Sequence, residues 1–128
     1  MFESLDFLYV PAPDIDTSIE YYTKTLEAKL LWKIKAMGTC VACLQLSTAG
    51  PLILLAEHLE KGKLIHIYRV NDIEKTKKEL KAKGWIEHDS LEIPPGPCST
   101  FSDPENNWLA IYENKRPGVI QNFKGRID

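Results

Sequence analysis

The chain has 128 residues, 16 Lys and Arg against 18 Asp and Glu, and a formal net charge of −2, so one domain with a self-supporting core is expected over residues 1–128. Basic residues are scattered in twos and threes among acidic ones and form no face suited to a phosphate backbone, which excludes nucleic acid as an expected partner. No run approaches the ~20 apolar residues of a membrane span, and "MFESLDFLYV" lacks the parts of a signal peptide, so a cytoplasmic location with no membrane partner is expected.

In chain order, Leu5 to Val10 reads as a short strand. The following "APDIDTSIEYYTKTLEA" places Ile15, Ile19, Tyr22 and Leu26 at helical spacing behind a cap at Asp14. Three strand-like runs come next, "KLLWKIK", "TCVACLQLS" and "PLILLAE", with turn signals at Met37-Gly38 and Thr48-Ala49-Gly50-Pro51. The order is β-α-β-β-β. Cys40 and Cys43 form a C-x-x-C on the second of these runs, but residues three apart on a strand point to opposite faces. With Cys98 the count is odd, so all three are expected as free thiols and small buried hydrophobes rather than as a redox or zinc pair.

The second half repeats the first. "LIHIYRV" is a strand, "NDIEKTKKELKAKG" a helix capped at Asn71 or Asp72 and stopped by Gly84, and "WIEHDSLEI", "CSTFS" and "WLAIYE" are three more strands. Val10 corresponds to Val70, Asp14 to Asp72, Ile15 to Ile73, Asp16 to Glu74 and Ser18 to Thr76, while Glu57 and Glu113 close the last strand of each copy. Two modules follow, 1–58 and 63–114, with a tail at 115–128 whose Val119, Ile120 and Phe123 are spaced for a helix that packs across the sheet edge or onto a second subunit. The fold class is α+β: two tandem βαβββ modules forming a curved mixed sheet with a concave cavity, where a ligand would go.

The pieces "YVPAPDIDTSIEYYTKTLEA", "YRVNDIEKTKKELKAKG" and "SDPENNWLAIYE" resemble the vicinal oxygen chelate superfamily, which includes glyoxalase I, extradiol dioxygenases, fosfomycin-modifying enzymes and bleomycin-binding proteins. The resemblance runs nearly to Glu113. It implies a scaffold that serves several reactions and also plain sequestration, and a homodimer. The superfamily's metal enzymes hold a divalent ion with His, Gln or Glu from the first and last strand of each module. Aligned on Val10, Val70 and the two glutamates, those positions are Leu5, Leu54, Ile65 and Ala110, none of which has a lone pair to offer. A slip of one residue would instead raise Asp6 and His66, with Glu57 and Glu113 sharing their parity, as an alternative metal set. The plainer account puts Asp6 and His66 together beneath the helices and the two glutamates in solvent.

The lining predicted for the concave face is Phe7, Tyr9, Leu52, Leu54, Ile65, Ile67, Trp108 and Tyr112, apolar and aromatic surface with a few hydroxyl anchors. Lys33, Lys35 and Arg69 are candidates for positive charge at the rim, and Pro94 to Pro97 reads as a stiff connection near the mouth. His58 and His88 sit beside acidic residues and read as surface groups. The expectation is a glyoxalase/bleomycin-resistance-like protein that binds a small apolar or aromatic molecule with no cofactor. The alternatives are a metal-dependent lyase or dioxygenase, a metal-free isomerase or lyase using Tyr or Glu as proton carrier, and a structural or regulatory partner protein.

Overall fold

Alternating apolar side chains pleat the chain into eight strands, seen in a computed structural model that describes residues 1–36 and 38–128. The elements are β1 (Phe2–Pro11), α1 (Ile15–Glu20), β2 (Lys29–Ala36), β3 (Thr39–Gln45), β4 (Leu52–Ala56), β5 (Ile65–Val70), α2 (Ile73–Lys81), β6 (Asp89–Ile93), β7 (Gly96–Ser102), β8 (Trp108–Glu113) and α3 (Val119–Phe123). The turn expected at Met37-Gly38 lies partly outside the described residues.

The strands form one sheet in the order β2-β3-β4-β1-β5-β8-β7-β6. Within each half the first and last strands run parallel, β1 with β4 and β5 with β8, whereas β1 and β5 meet antiparallel at the centre. An antiparallel seam between equivalent strands is what a two-fold relation between the halves requires. Helices α1 and α2 start alike: the Asp14 carboxylate accepts from the Thr17 amide at 3.3 Å and the Asp72 carboxylate from the Lys75 amide at 3.1 Å. Ile15 and Ile73, one residue on, are 5% and 1% exposed, each pinning its helix to the sheet.

Two details depart from the sequence expectation. The first helix widens into a π turn at Tyr21–Thr25, where the Leu26 amide reaches back five residues to the Tyr21 carbonyl at 3.2 Å. The strand expected over "WIEHDSLEI" begins only at Asp89. Before it, Trp85 turns edge-on to Phe101 with ring centroids 5.4 Å apart, and Glu87 is drawn to Lys77 and the Ser99 hydroxyl. Side-chain anchorage there outweighs the ladder.

Burial separates the two faces of the sheet. On the outer face α1 covers Ala42, Leu44, Ile53 and Leu55, and α2 covers Val70, Phe101 and Ile111. The inner face carries Phe7, Trp32, Ile34, Cys43, Leu54, Ile65, Ile67, Cys98, Ala110 and Tyr112. Cys40 belongs to the outer cluster and Cys43 to the inner one, so the C-x-x-C sulfurs are on opposite faces, and all three cysteines are free and buried. Burial pushes the Cys43 and Cys98 thiols up to about 12.

The tail closes the curve. Arg116 fastens its start to the β6–β7 hairpin, donating from its amide to the Pro95 carbonyl at 2.9 Å and from its guanidinium to the Pro94 and Ile93 carbonyls and to Glu92. After α3 the chain runs beside β2. The Gly125 amide donates to Leu31, the Lys33 amide to Arg126 and the Asp128 amide to Lys33, each at 2.8 Å. The tail therefore straps the β6–β7 hairpin to the free edge of β2 and pairs backbone groups that an edge strand leaves open.

Candidate ligand-binding cavity

Strand alternation puts every second residue of the four central strands on the inner face. Phe7 pairs with Leu52 and Ile67, Tyr9 with Leu54 and Ile65, and Ile65 and Ile67 with Trp108 and Ala110. All eight predicted lining residues, Phe7, Tyr9, Leu52, Leu54, Ile65, Ile67, Trp108 and Tyr112, belong to this inner cluster or pack against it. They do not share one pocket. Tyr9, Leu54 and Ile67 line a cavity of about 710 Å³, Tyr9, Ile65, Ile67 and Trp108 an adjoining one of about 180 Å³, and Phe7, Leu52 and Tyr112 a third of about 330 Å³.

The tail makes this division. Val119 and Ile120 line both the largest and the third cavity, so α3 lies between them as a partition and roof. Phe123 meets Trp32 edge-on at 5.4 Å, with their ring planes 79° apart. Trp32, Ile34 and Val41 from β2 and β3 form one wall, and Leu91, Ile93, Pro94 and Pro95 form the other. Pro94 and Pro95 are the two-residue turn between the paired Ile93 and Gly96, the stiff connection read from the sequence. A volume of about 710 Å³ falls in the range that encloses drug-sized molecules.

Several side chains lie elsewhere than predicted. Asp6 is not beneath the helices with His66: the β1–β5 register shifts between Leu5 and Phe7, and this bulge turns Asp6 to the inner side. There its carboxylate accepts from the Tyr112 hydroxyl and from Ser4, and lies 3.7 Å from Arg69. His66 keeps the outer parity opposite Leu8. Glu113 accepts from the Ile73 amide at 3.0 Å, serving the start of α2, and Glu57 is exposed beyond β4. Lys33 pairs with Asp16 at 2.8 Å on the outer face and Lys35 shares its parity, so only Arg69 of the three expected cations reaches the concave side.

His58 is the functional-looking group that the sequence reading set on the surface. Its side chain is exposed to solvent yet lines the largest cavity, with Nε2 3.2 Å from the Tyr9 hydroxyl and Nδ1 3.0 Å from the Thr39 hydroxyl. Desolvation by burial pushes the Tyr9 phenol up to about 12, so it stays neutral. His88 lies against Trp108, ring centroids 4.9 Å apart, and bonds to the Ser102 hydroxyl at 2.8 Å.

A two-module βαβββ sheet wrapped around an apolar cavity defines the class of protein. The family model described as Glyoxalase/Bleomycin resistance protein/Dioxygenase superfamily matches residues 4–111, and the chain belongs to that superfamily. Among solved structures, methylmalonyl-CoA epimerase from Mycobacterium tuberculosis superposes with a TM-score of 0.71 at 17% identity, covering 88% of each chain. A hypothetical protein of Bacillus halodurans C-125 gives 0.69 at 20% identity over 88% of this chain and 95% of that one. A catechol 2,3-dioxygenase gives 0.65 at 14% identity over 88% of this chain and 42% of that one. At such identities the likeness is one of fold. No curated protein sequence matches the chain.

The divalent ion that the superfamily implies does not fit these residues. Leu54, Ile65 and Ala110 are 4%, 6% and 0% exposed within the inner hydrocarbon cluster, and Leu5 is a half-buried aliphatic side chain beside the bulge. None donates an electron pair. The alternative set of Asp6, His66, Glu57 and Glu113 is scattered over both faces and two strand ends. Among the described residues no three His, Cys, Asp or Glu side chains converge as metal ligands do.

Proposed function

We propose that the chain binds a small apolar or aromatic molecule in the cavity beneath α3, without a metal ion, as a glyoxalase/bleomycin-resistance-like binding protein. The observation that supports this best is the cavity of about 710 Å³ walled by Trp32, Ile34, Val41, Leu54, Ile67, Ile120 and Phe123. Such walls gain by removing apolar ligand surface from water and offer flat contact to rings. The proposal includes a cytoplasmic location, and a homodimer as the family resemblance implies. Within the same chain, α3 contributes Val119, Ile120 and Phe123 to the wall of this cavity.

The test is a thermal-shift screen of hydrophobic and aromatic compounds. A ligand at 100 times its dissociation constant adds about 2.7 kcal/mol, which for a chain of this size raises the melting temperature by roughly 10 °C. No response across chemically diverse ligands refutes the reading. So does stoichiometric, tightly held metal whose removal abolishes binding or turnover.

A metal-free isomerase or lyase is the second reading, favoured by the Tyr9–His58 contact inside the cavity wall. Turnover of a bound compound that survives chelator and is lost in Tyr9→Phe would select it.

A further inference from the structure

Among the described residues, the side chains that wall the largest cavity are hydrocarbon except at two places. One is the Glu92–Arg116 ion pair, whose guanidinium is already committed to Glu92 and to the carbonyls of Ile93 and Pro94. The other is a hydrogen-bond chain in which His58 joins Tyr9 of β1 to Thr39 of β3, residues 49 and 19 positions away in sequence. Tyr9 and His58 also line the adjoining cavity of about 180 Å³, so their contact stands where the two spaces meet.

The chain can present either polarity. When the imidazole carries its proton on Nδ1, it donates to Thr39 and accepts from the Tyr9 hydroxyl, leaving lone pairs on the phenolic oxygen for an incoming donor. When the proton is on Nε2, it donates to the Tyr9 oxygen while Thr39 donates to Nδ1, and the phenolic O–H is free for an incoming acceptor. Moving between these states needs only rotation of two hydroxyls and a tautomer change, with no net charge entering the apolar space. The ion pair in the wall of the larger cavity, Glu92 with Arg116, is already satisfied, so a charged ligand group at the Tyr9 hydroxyl would bear the cost of desolvation.

We propose that Tyr9, positioned by His58 and Thr39, anchors a single uncharged oxygen of the ligand, a hydroxyl or a carbonyl, while the hydrocarbon walls take the rest. This rests on the cavity being a ligand site and narrows its ligand to neutral, mono-oxygenated aromatic or alicyclic molecules such as phenols and ketones. Tyr9 is the contact residue; His58 and Thr39 are positioning residues.

The test compares naphthol with methylnaphthalene, which differ by hydroxyl for methyl at nearly equal size, by calorimetric titration of the full chain. A net hydrogen bond in an apolar site gives naphthol about a tenfold tighter dissociation constant. Tyr9→Phe, which removes one hydroxyl and no ring, should erase or reverse that ratio, read within the variant as naphthol against methylnaphthalene. Thr39→Val should reduce the ratio and Thr39→Ser restore it, a pattern that loss of packing alone does not produce. Equal affinities in the parent, or a naphthol preference that survives Tyr9→Phe, overturn the anchor and leave the cavity reading standing. Failure of both probes to bind, in a protein that melts cooperatively, overturns the anchor and counts against the cavity reading as well.

Discussion

Gly96 begins β7, and replacing it with alanine tests how the β6–β7 hairpin is seated. Its backbone needs no glycine for conformational reasons, yet a Cβ there would stand 2.0 Å from the Glu113 carbonyl oxygen and 3.1 Å from the Lys115 amide nitrogen. Both are backbone atoms, one at the end of β8 and one just beyond it, and neither can rotate away. Ordinary contact requires the two segments to part by roughly an ångström or more. That movement pulls on the 2.9 Å bond from the Arg116 amide to the Pro95 carbonyl, which ties the tail to the hairpin. Overpacking of this kind costs about 1–3 kcal/mol, and a weakened hydrogen bond adds about 1 kcal/mol, so Gly96→Ala should cost about 3 kcal/mol and lower the melting temperature by roughly 10 °C. Gly118→Ala is the comparison: a Cβ there meets nothing within 4 Å, but φ is +88°, so only the left-handed backbone cost of about 1–2 kcal/mol applies. Far-ultraviolet circular dichroism melts of the two variants read the difference. If Gly96→Ala melts within about 2 °C of the parent, or above Gly118→Ala, the close approach of β7 to the end of β8 is refuted.

Phe123→Ala tests the strap. A half-buried phenyl packed edge-on to Trp32 should give up about 2 kcal/mol, half the cost of a fully buried ring, and an unchanged urea midpoint would show that α3 is not seated on β2. Glu87→Gln tests the Lys77–Glu87–Ser99 cluster. Hydrogen bonds from Lys77 at 2.8 Å and from the Ser99 hydroxyl at 2.5 Å hold the Glu87 carboxyl below its ordinary value of 4.5. A depressed folded value means that the stabilisation is present above the unfolded value and is lost as pH falls through the folded one. The stability gap between parent and Glu87→Gln, followed by denaturant titration, should therefore be full at neutral pH and shrink below about pH 4.5. A gap that is constant with pH would refute the charge-assisted origin.

The sequence was readable where the signal is local. Asp14 and Asp72 stand directly before helical periodicity and cap both helices in the structure. Alternation of period two placed Phe7 and Tyr9, Leu52 and Leu54, Ile65 and Ile67, and Trp108 and Tyr112 on one face, since a strand has only two faces to offer. The same parity separated Cys40 from Cys43. It failed at Asp6, where a bulge of one residue reverses it and brings the carboxylate to Tyr112. A bulge has no reliable mark in a single strand, because it is a property of the pairing.

Composition, period and capping residues thus determined the element order, the doubling of the βαβββ unit and the hydrocarbon character of the inner face, because each depends on neighbours within one helical turn or one strand. Tertiary structure alone decided the rest. It brought His58 between Tyr9 and Thr39, ran α3 across the concave face so that one groove became separate cavities, and pressed Gly96 against the Glu113 carbonyl. These contacts join segments far apart in sequence, and their distances are set by sheet curvature and the path of the tail, to which no local pattern of residues is sensitive.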